Sequence, residues 1–268
     1  MTDVCQQRAR SREFIRVNRL KKVFGLGGSG ELIALKDINC TIREGDFVSI
    51  VGPSGCGKST LLRILAGLLS YSDGSVTMDD QAVRGTRRDV GVVFQNSILL
   101  PWRTILDNVM LPAEVLGLDI KAARHRAHEL LAMVRLEGFE DRLPSELSGG
   151  MQQRASIARA LLHDPRILLM DEPFGALDAM TRDDLNVELA QIWQDTRKTL
   201  LFITHSIVEA VFLSDRVVMM SKAPGMIVDT ISIDLPRPRR LTIRDSAEFA
   251  AYVHRIRHHF AELGIVKE

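Results

Sequence analysis

Cysteine is scarce: Cys5, Cys40 and Cys56 are the only three in 268 residues. They are odd in number, widely spaced and part of no Cys-x-x-Cys or Cys/His pattern. That argues against a disulfide framework or a structural zinc site, and for a reducing compartment. An excess of one charge is also lacking, since 35 Lys+Arg against 34 Asp+Glu leave a net +1. Such balance does not suit a chain whose main task is to neutralise nucleic-acid phosphates. No 18 apolar residues run together, so no segment is expected to span a bilayer. The polar opening MTDVCQQRARSREF has no apolar stretch of the kind a signal peptide needs. Membrane contact is therefore expected through a partner, with a solvated tail or attraction to anionic lipid both open for Arg8, Arg10 and Arg12. What is present, 46% hydrophobic and 26% charged residues, is ordinary globular composition with ample length for a core.

Four compact apolar runs stand out: Phe47–Val51, Val90–Phe94, Ile167–Met170 and Leu200–Ile203, with Arg216–Met220 as a fifth. They do not alternate, which is how strands buried on both faces read. Helical patterns at Ser59–Leu68, Gln152–Leu162 and Thr181–Lys198 lie between them. Strand–helix alternation predicts an α/β fold with a largely parallel sheet. Upstream, residues 14–42 read as short strands broken by a Gly-rich turn at 25–30, with a bulge or a turn near Lys36-Asp37 where the apolar spacing slips. Residues 96–162 contain no convincing strand and read as an inserted helical subdomain punctuated by Pro101, Pro112, Gly117 and Pro144. After a turn at Ala223-Pro224-Gly225 come an alternating Met226–Leu235, a break at Pro236-Arg237-Pro238, and a last helix from Ser246 to Leu263. The expected layout is a polar tail (1–13), one main domain (14–236) and a short helical extension (237–268).

Gly52-Pro53-Ser54-Gly55-Cys56-Gly57-Lys58-Ser59-Thr60 fits G-x-x-x-x-G-K-[ST], between a buried strand and a helix, as that motif requires. Glycines let backbone N–H groups turn inward around a polyphosphate, and the helix start adds free donors and a positive dipole end. Lys58 brings a full charge to the β and γ phosphates, the Ser59 hydroxyl can ligate Mg²⁺, and Thr60 can donate to a phosphate oxygen. The bland alternative is a Gly-rich turn with an exposed lysine. Downstream, the strand at Ile167–Met170 ends in Asp171-Glu172. Alternation along a strand would aim the two carboxylates in different directions. Asp171 suits a water-mediated hold on Mg²⁺, and Glu172 a general base that orients the attacking water. The alternative is an acidic cap on a strand end.

Leu147-Ser148-Gly149-Gly150-Met151-Gln152-Gln153-Arg154 opens an amphipathic helix with a second set of free N–H donors. It has no cradle of its own, so it could serve a phosphate bound elsewhere, including on a second copy of the chain.

In order and spacing these three segments resemble the ATP-binding subunits of ABC transporters, over nearly the whole chain. The resemblance implies a P-loop NTPase of the ABC ATPase type: a mostly parallel core sheet, an N-terminal antiparallel β subdomain and an inserted helical subdomain. It implies ATP and Mg²⁺ as ligands, and a homodimer holding each ATP between one cradle and the opposing Ser148, Gly149 and Gly150. Met151 departs from the Gln most often found there. By the same resemblance Gln95 senses Mg²⁺ and links to membrane subunits, and the Gly175–Asp178 loop crosses to the other monomer. His205 stands at the switch histidine, and Phe24 near the aromatic that stacks on adenine. Each also has an ordinary reading, as a turn residue, a structural histidine or core.

Ser97–Trp102, Leu106–Val109, Ala223–Gly225 and Leu235–Arg239 further resemble the nitrate/sulfonate/taurine importer group. That implies a subunit on the cytoplasmic face of a bacterial inner membrane, peripheral to separate permease subunits and served indirectly by a periplasmic solute-binding protein. Trp102 and Leu100 could line a groove for a short helix of the permease, or be core of the helical subdomain. The competing reading is a soluble ABC-type ATPase acting on nucleic acid or ribosomes. Balanced charge and the lack of a second ATPase domain or a long coiled-coil insertion speak against it.

Overall fold

The runs that lack alternation become strands sealed on both faces in the computed structural model, which describes residues 12–26 and 30–265. In chain order the elements begin with β1 (Glu13–Leu26), β2 (Gly30–Arg43), β3 (Phe47–Val51), α1 (Lys58–Leu65), β4 (Asp73–Met78), β5 (Gln81–Ala82) and β6 (Val90–Val93). Then follow α2 (Ile105–Leu116), α3 (Ile120–Met133), α4 (Gly149–Leu161), β7 (Ile167–Asp171), α5 (Ala179–Thr196) and β8 (Thr199–Ile203). Last come α6 (Ile207–Leu213), β9 (Arg216–Met220), β10 (Ile227–Ser232) and α7 (Ala247–Glu262). Six strands form one sheet in the order β10-β9-β3-β8-β7-β6. Its neighbours from β9 to β6 pair in parallel, and β10 closes one edge antiparallel. The non-sequential order is what helix crossovers produce. Every residue of β3, β7 and β8 is buried.

The second sheet, β2-β1-β4-β5, is antiparallel throughout. Where short strands were expected, β1 and β2 run 14 residues each. Pairing passes from Leu20↔Ile38 to Lys22↔Leu35, so two residues of β2 face one of β1. Asp37 sits there at φ 50°. The bulge expected at Lys36-Asp37 is present, and it bends a continuous strand rather than ending one. The Gly-rich turn's tip, residues 27–29, lies outside the described residues, as do Cys5, Arg8 and Arg10. Arg12 is no free tail residue: it pairs with Asp79 at 3.0 Å and with Asp80.

Between residues 96 and 162 the chain forms helices and turns and no strand. Pro112 lies inside α2 instead of bounding it. The prolyl ring removes one backbone hydrogen bond. Burial of Ile105, Leu106, Val109, Met110 and Ala113 on the inner face outweighs that loss. Gly117, at φ 66°, ends the helix in the left-handed conformation that favours glycine.

Two apolar cores flank the six-stranded sheet. One joins Phe47, Met170 and Phe202 to residues of α2 to α6 and to Phe249, Val253, Ile256 and Phe260 of α7. The other joins Ile50, Leu169 and Ile203 to α1 and the antiparallel sheet. Among the described residues no helix is long and apolar enough to cross a membrane.

Candidate functional site

β3 delivers the chain to the C-terminal edge of the parallel sheet, where residues 52–57 loop into α1. Gly55 and Gly57 have φ of 76° and 102°, values that L side chains rarely adopt. A Cβ on Gly57 would also come 2.7 Å from Leu35 Cδ2 and 3.0 Å from Ala34 O. Beside this loop lies a cavity of about 320 Å³. Its floor is Ser54, Gly55, Gly57, Lys58, Ser59 and Thr60, with Glu172 on one side. It is also lined by Phe24, Leu32, Ile33 and Ala34 from the antiparallel hairpin and by Ala223, whose loop bonds to that hairpin. One end is therefore polar and donor-rich, the other apolar. Lys22 Nζ stands 4.8 Å from the Phe24 ring centroid.

The sequence motif is thus divided by the structure. Ser54, Gly55 and Gly57–Thr60 face the cavity, and Gly52, Pro53 and Cys56 do not line it. The Cys56 side chain is buried in the core beneath, and burial pushes its thiol above the usual range. Lys58, 5% exposed, folds onto its own loop, donating to Gly52 O at 2.9 Å and Pro53 O at 3.1 Å. Its amine is 3.8 Å from Glu172 Oε1.

Ser59 Oγ donates to Asp171 Oδ1 at 2.8 Å. Burial, with a smaller contribution from the Glu172 charge, raises the Asp171 carboxyl above its usual range; the Ser59 hydrogen bond opposes this. Asp171 and Glu172 do diverge, though not by strand alternation. β7 ends at Asp171, and Glu172 turns off it at φ 45°, held by its N–H on Ile203 O at 2.9 Å. That turn brings Glu172 Oε2 to 3.2 Å from His205 Nδ1. Gly175 N donates back to Glu172 O at 3.0 Å. A Cβ on Gly175 would meet Gln95 Nε2 at 3.4 Å, so Gln95, two residues past β6, lies beside the same turn.

Lys58, Ser59, Asp171, Glu172, His205 and Gln95 therefore converge. Ser148, Gly149, Gly150 and Asp178 gather elsewhere, and none lines the cavity. α4 starts three residues earlier than its apolar pattern suggested, at Gly149, with Ser148 as its cap accepting from Met151 N at 3.3 Å. A Cβ on Gly150 would touch Thr181 Cγ2 at 2.6 Å. This seats the helix start against α5, whose cap Asp178 accepts from Met180 N and Thr181 N at 3.1 and 3.0 Å. Ser148, Gly149 and Asp178 are exposed there. Trp102, 73% exposed, is not core of the helical region. Asn108, fully buried, ties the loop carrying it to α2 through Leu100, Arg103 and Thr104.

Sequence reasoning missed the cavity's Ala223 side. Gly225 N donates to Ala34 O at 3.0 Å and its carbonyl accepts from Lys36 N at 2.9 Å. A Cβ on Gly225 would fall 2.0 Å from Cys56 O. In the sequence Ala223-Pro224-Gly225 reads as a turn and as part of the importer-group resemblance, with no place at the cavity assigned to it.

Residues 35–175 match the family described as ABC transporter. An uncharacterised ABC transporter ATP-binding protein of Methanocaldococcus jannaschii is 48% identical over 95% of this chain and 94% of its own. An aliphatic sulfonates import ATP-binding protein of Bacillus licheniformis is 46% identical over 85% of this chain and 87% of its own. A bicarbonate transport ATP-binding protein of Synechocystis is 46% identical over 85% of this chain and 34% of its own. Among solved structures, a dimeric post-hydrolysis state of an ATP-binding cassette bound to ADP and Pi superposes with a TM-score of 0.73. It is 34% identical and covers 83% of this chain and 100% of that one.

Proposed function

This chain belongs to the ABC transporter family and is an ATP-hydrolysing transport subunit, and we propose that it drives import of a small anion by closing as a homodimer around two ATP molecules. The observation that carries the reading is that Lys58, Ser59 and Glu172 line one cavity, with Asp171 bonded to Ser59 and His205 to Glu172 just behind it. The triphosphate lies along the loop from Ser54 to Thr60. Loop N–H groups and the start of α1 surround its oxygens, and Lys58 leaves its carbonyl partners for the β and γ phosphates. The base stacks at the apolar end, against Phe24.

Ser59 and Asp171 fit Mg²⁺: they are adjacent hard oxygen donors, and the desolvated Asp171 carboxylate gains most from a nearby cation. Bound there with Gln95 close by, Mg²⁺ would neutralise charge developing on the phosphates. Glu172 accepts a proton from the attacking water, and His205 orients Glu172 and contacts the γ-phosphate side. The helix start at Ser148–Gly150, exposed at Ser148 and Gly149, and Asp178 complete the partner's site, which explains why they are absent from their own chain's cavity.

Names of the relatives support the substrate class, since sulfonate and bicarbonate are both small oxyanions. The subunit works at the cytoplasmic face of the inner membrane on separate permease subunits, with a periplasmic binding protein delivering solute to them. Glu172→Gln tests the assignment. ATP affinity should stay within about twofold while turnover falls by about 100-fold or more, and a dimer should accumulate with ATP in a sedimentation experiment. Undiminished turnover would remove Glu172 as the base.

A further inference from the structure

Behind His205 lies an ion pair between a partly exposed arginine and a buried glutamate that takes no part in the steps above. Glu209 of α6 is 5% exposed. One of its oxygens accepts from the Thr204 hydroxyl, and Thr204 is itself buried and immediately precedes His205. Its other oxygen faces Arg182 Nε at 3.6 Å. Arg182, on the first turn of α5, uses Nη2 to donate to Leu177 O at 2.8 Å, inside the Gly175–Asp178 loop. The Thr204 hydroxyl also accepts from Ser206 N at 3.0 Å, so both peptide neighbours of His205 are held by this hydroxyl.

A buried ion pair is weak support for stability, because apolar replacements of the same volume are often as stable. What a guanidinium fork does supply is direction. Here one edge of the fork holds the loop, and Nε stands just outside hydrogen-bond distance of the carboxylate. A displacement of the loop by well under 1 Å would make or break that second bond. Burial pushes the Glu209 carboxyl above its usual range, and the Thr204 hydrogen bond and the charges of Arg182, His205 and Arg244 oppose that shift.

We propose that Arg182 and Glu209 are positioning residues that tie the Gly175–Asp178 loop to Thr204 and thereby hold the His205 imidazole against Glu172. The proposal rests on the reading that Glu172 and His205 act on bound ATP and that the loop meets the partner copy. It adds the route by which contact with the twin reaches the imidazole.

Two variants of the full chain separate this from a purely structural role. Glu209→Gln keeps an acceptor for Thr204 and removes the charge facing Arg182. Arg182→Lys keeps the charge and removes the fork. Each should lower turnover at saturating ATP about tenfold with nucleotide Kd within about twofold. The double variant should be no worse than the poorer single, the signature of one shared contact. Adding Glu209→Gln to His205→Ala should cost nothing further. Multiplicative losses in either double variant, or a lowered melting temperature with unchanged turnover, overturn the proposal. If Glu209→Gln does not fold, the His205 imidazole resonance of the Arg182→Lys protein decides: a shift from wild type supports the tie, an unmoved signal overturns it. Wild-type turnover in His205→Ala would instead defeat the reading of the site, and the proposed route with it.

Discussion

A buried carboxylate pays for its position in desolvation, and Asp171, behind Ser59 of the cavity floor, is 8% exposed with the Ser59 hydroxyl as a side-chain partner. Its folded pKa is raised above the ordinary 3.8, chiefly by burial. A raised folded value means that its favourable contribution is complete below about 3.8 and is lost as pH rises through the folded value. Asp171→Asn keeps an acceptor for Ser59 and carries no charge. The nucleotide-free variant should therefore be more stable than wild type at pH 7, by about 0.5–2 kcal/mol in urea unfolding. The gap should close as pH falls toward the ordinary carboxylate value. ATP turnover should collapse at the same time. Equal stability at neutral pH would show that the charge costs nothing where it stands.

At this scale the cavity floor was legible because its residues are neighbours in sequence. Lys58, Ser59, Asp171 and Glu172 come in runs whose types state their chemistry. Ala223, Arg182 and Glu209 are single residues whose partners lie far along the chain, and no spacing announces them. The direction of Glu172 was expected from strand alternation and is in fact set by a left-handed turn, which no residue preference for glutamate would suggest.

Among the elements, the loop from Ser221 to Met226 matters more than its length suggests. It bridges the phosphate loop and β2, and Gly225 lies so close to Cys56 O that no side chain fits between them. Gly225→Ala should force the two backbones apart, costing about 1–3 kcal/mol in denaturant unfolding, the usual range for overpacking. It should also weaken nucleotide binding about tenfold in a fluorescent-nucleotide titration, since a shifted loop misaims its N–H groups. Unchanged affinity would show that the bridge does not shape the cradle. The buried strands were readable to within a residue because uninterrupted apolar runs have few other uses. The length of β1 and β2 was not, since bulges at positive φ break the alternation that marks a strand. Pro112 shows the opposite error, a strong breaker overruled by burial of the helix around it.

For the whole molecule, the proposed division of the site's chemistry between two separate faces has a direct consequence. The cavity face supplies Lys58, and the exposed face at the starts of α4 and α5 supplies Ser148. Lys58→Ala and Ser148→Arg should each be inactive alone. Mixed in equal amounts, they should recover roughly a quarter of wild-type turnover, since half of randomly formed dimers are mixed and each holds one complete site. No recovery in a mixture shown to form dimers would mean that each chain completes its own site. Apart from the family resemblance, the sequence suggests this arrangement through the donor-rich helix start, which has no strand and loop beside it.

Lys58 gives the resting protein a further property. Its amine is held by two carbonyls and a nearby carboxylate, so any anion that recruits it has to exchange those contacts for its own. A single orthophosphate would have to detach that amine in return for a few contacts, whereas three linked phosphates engage the full length of the loop together. On the proposed reading, the contacts of this one amine therefore favour a chain of phosphates over a single one, and weak competition by orthophosphate in a nucleotide titration is the expected result.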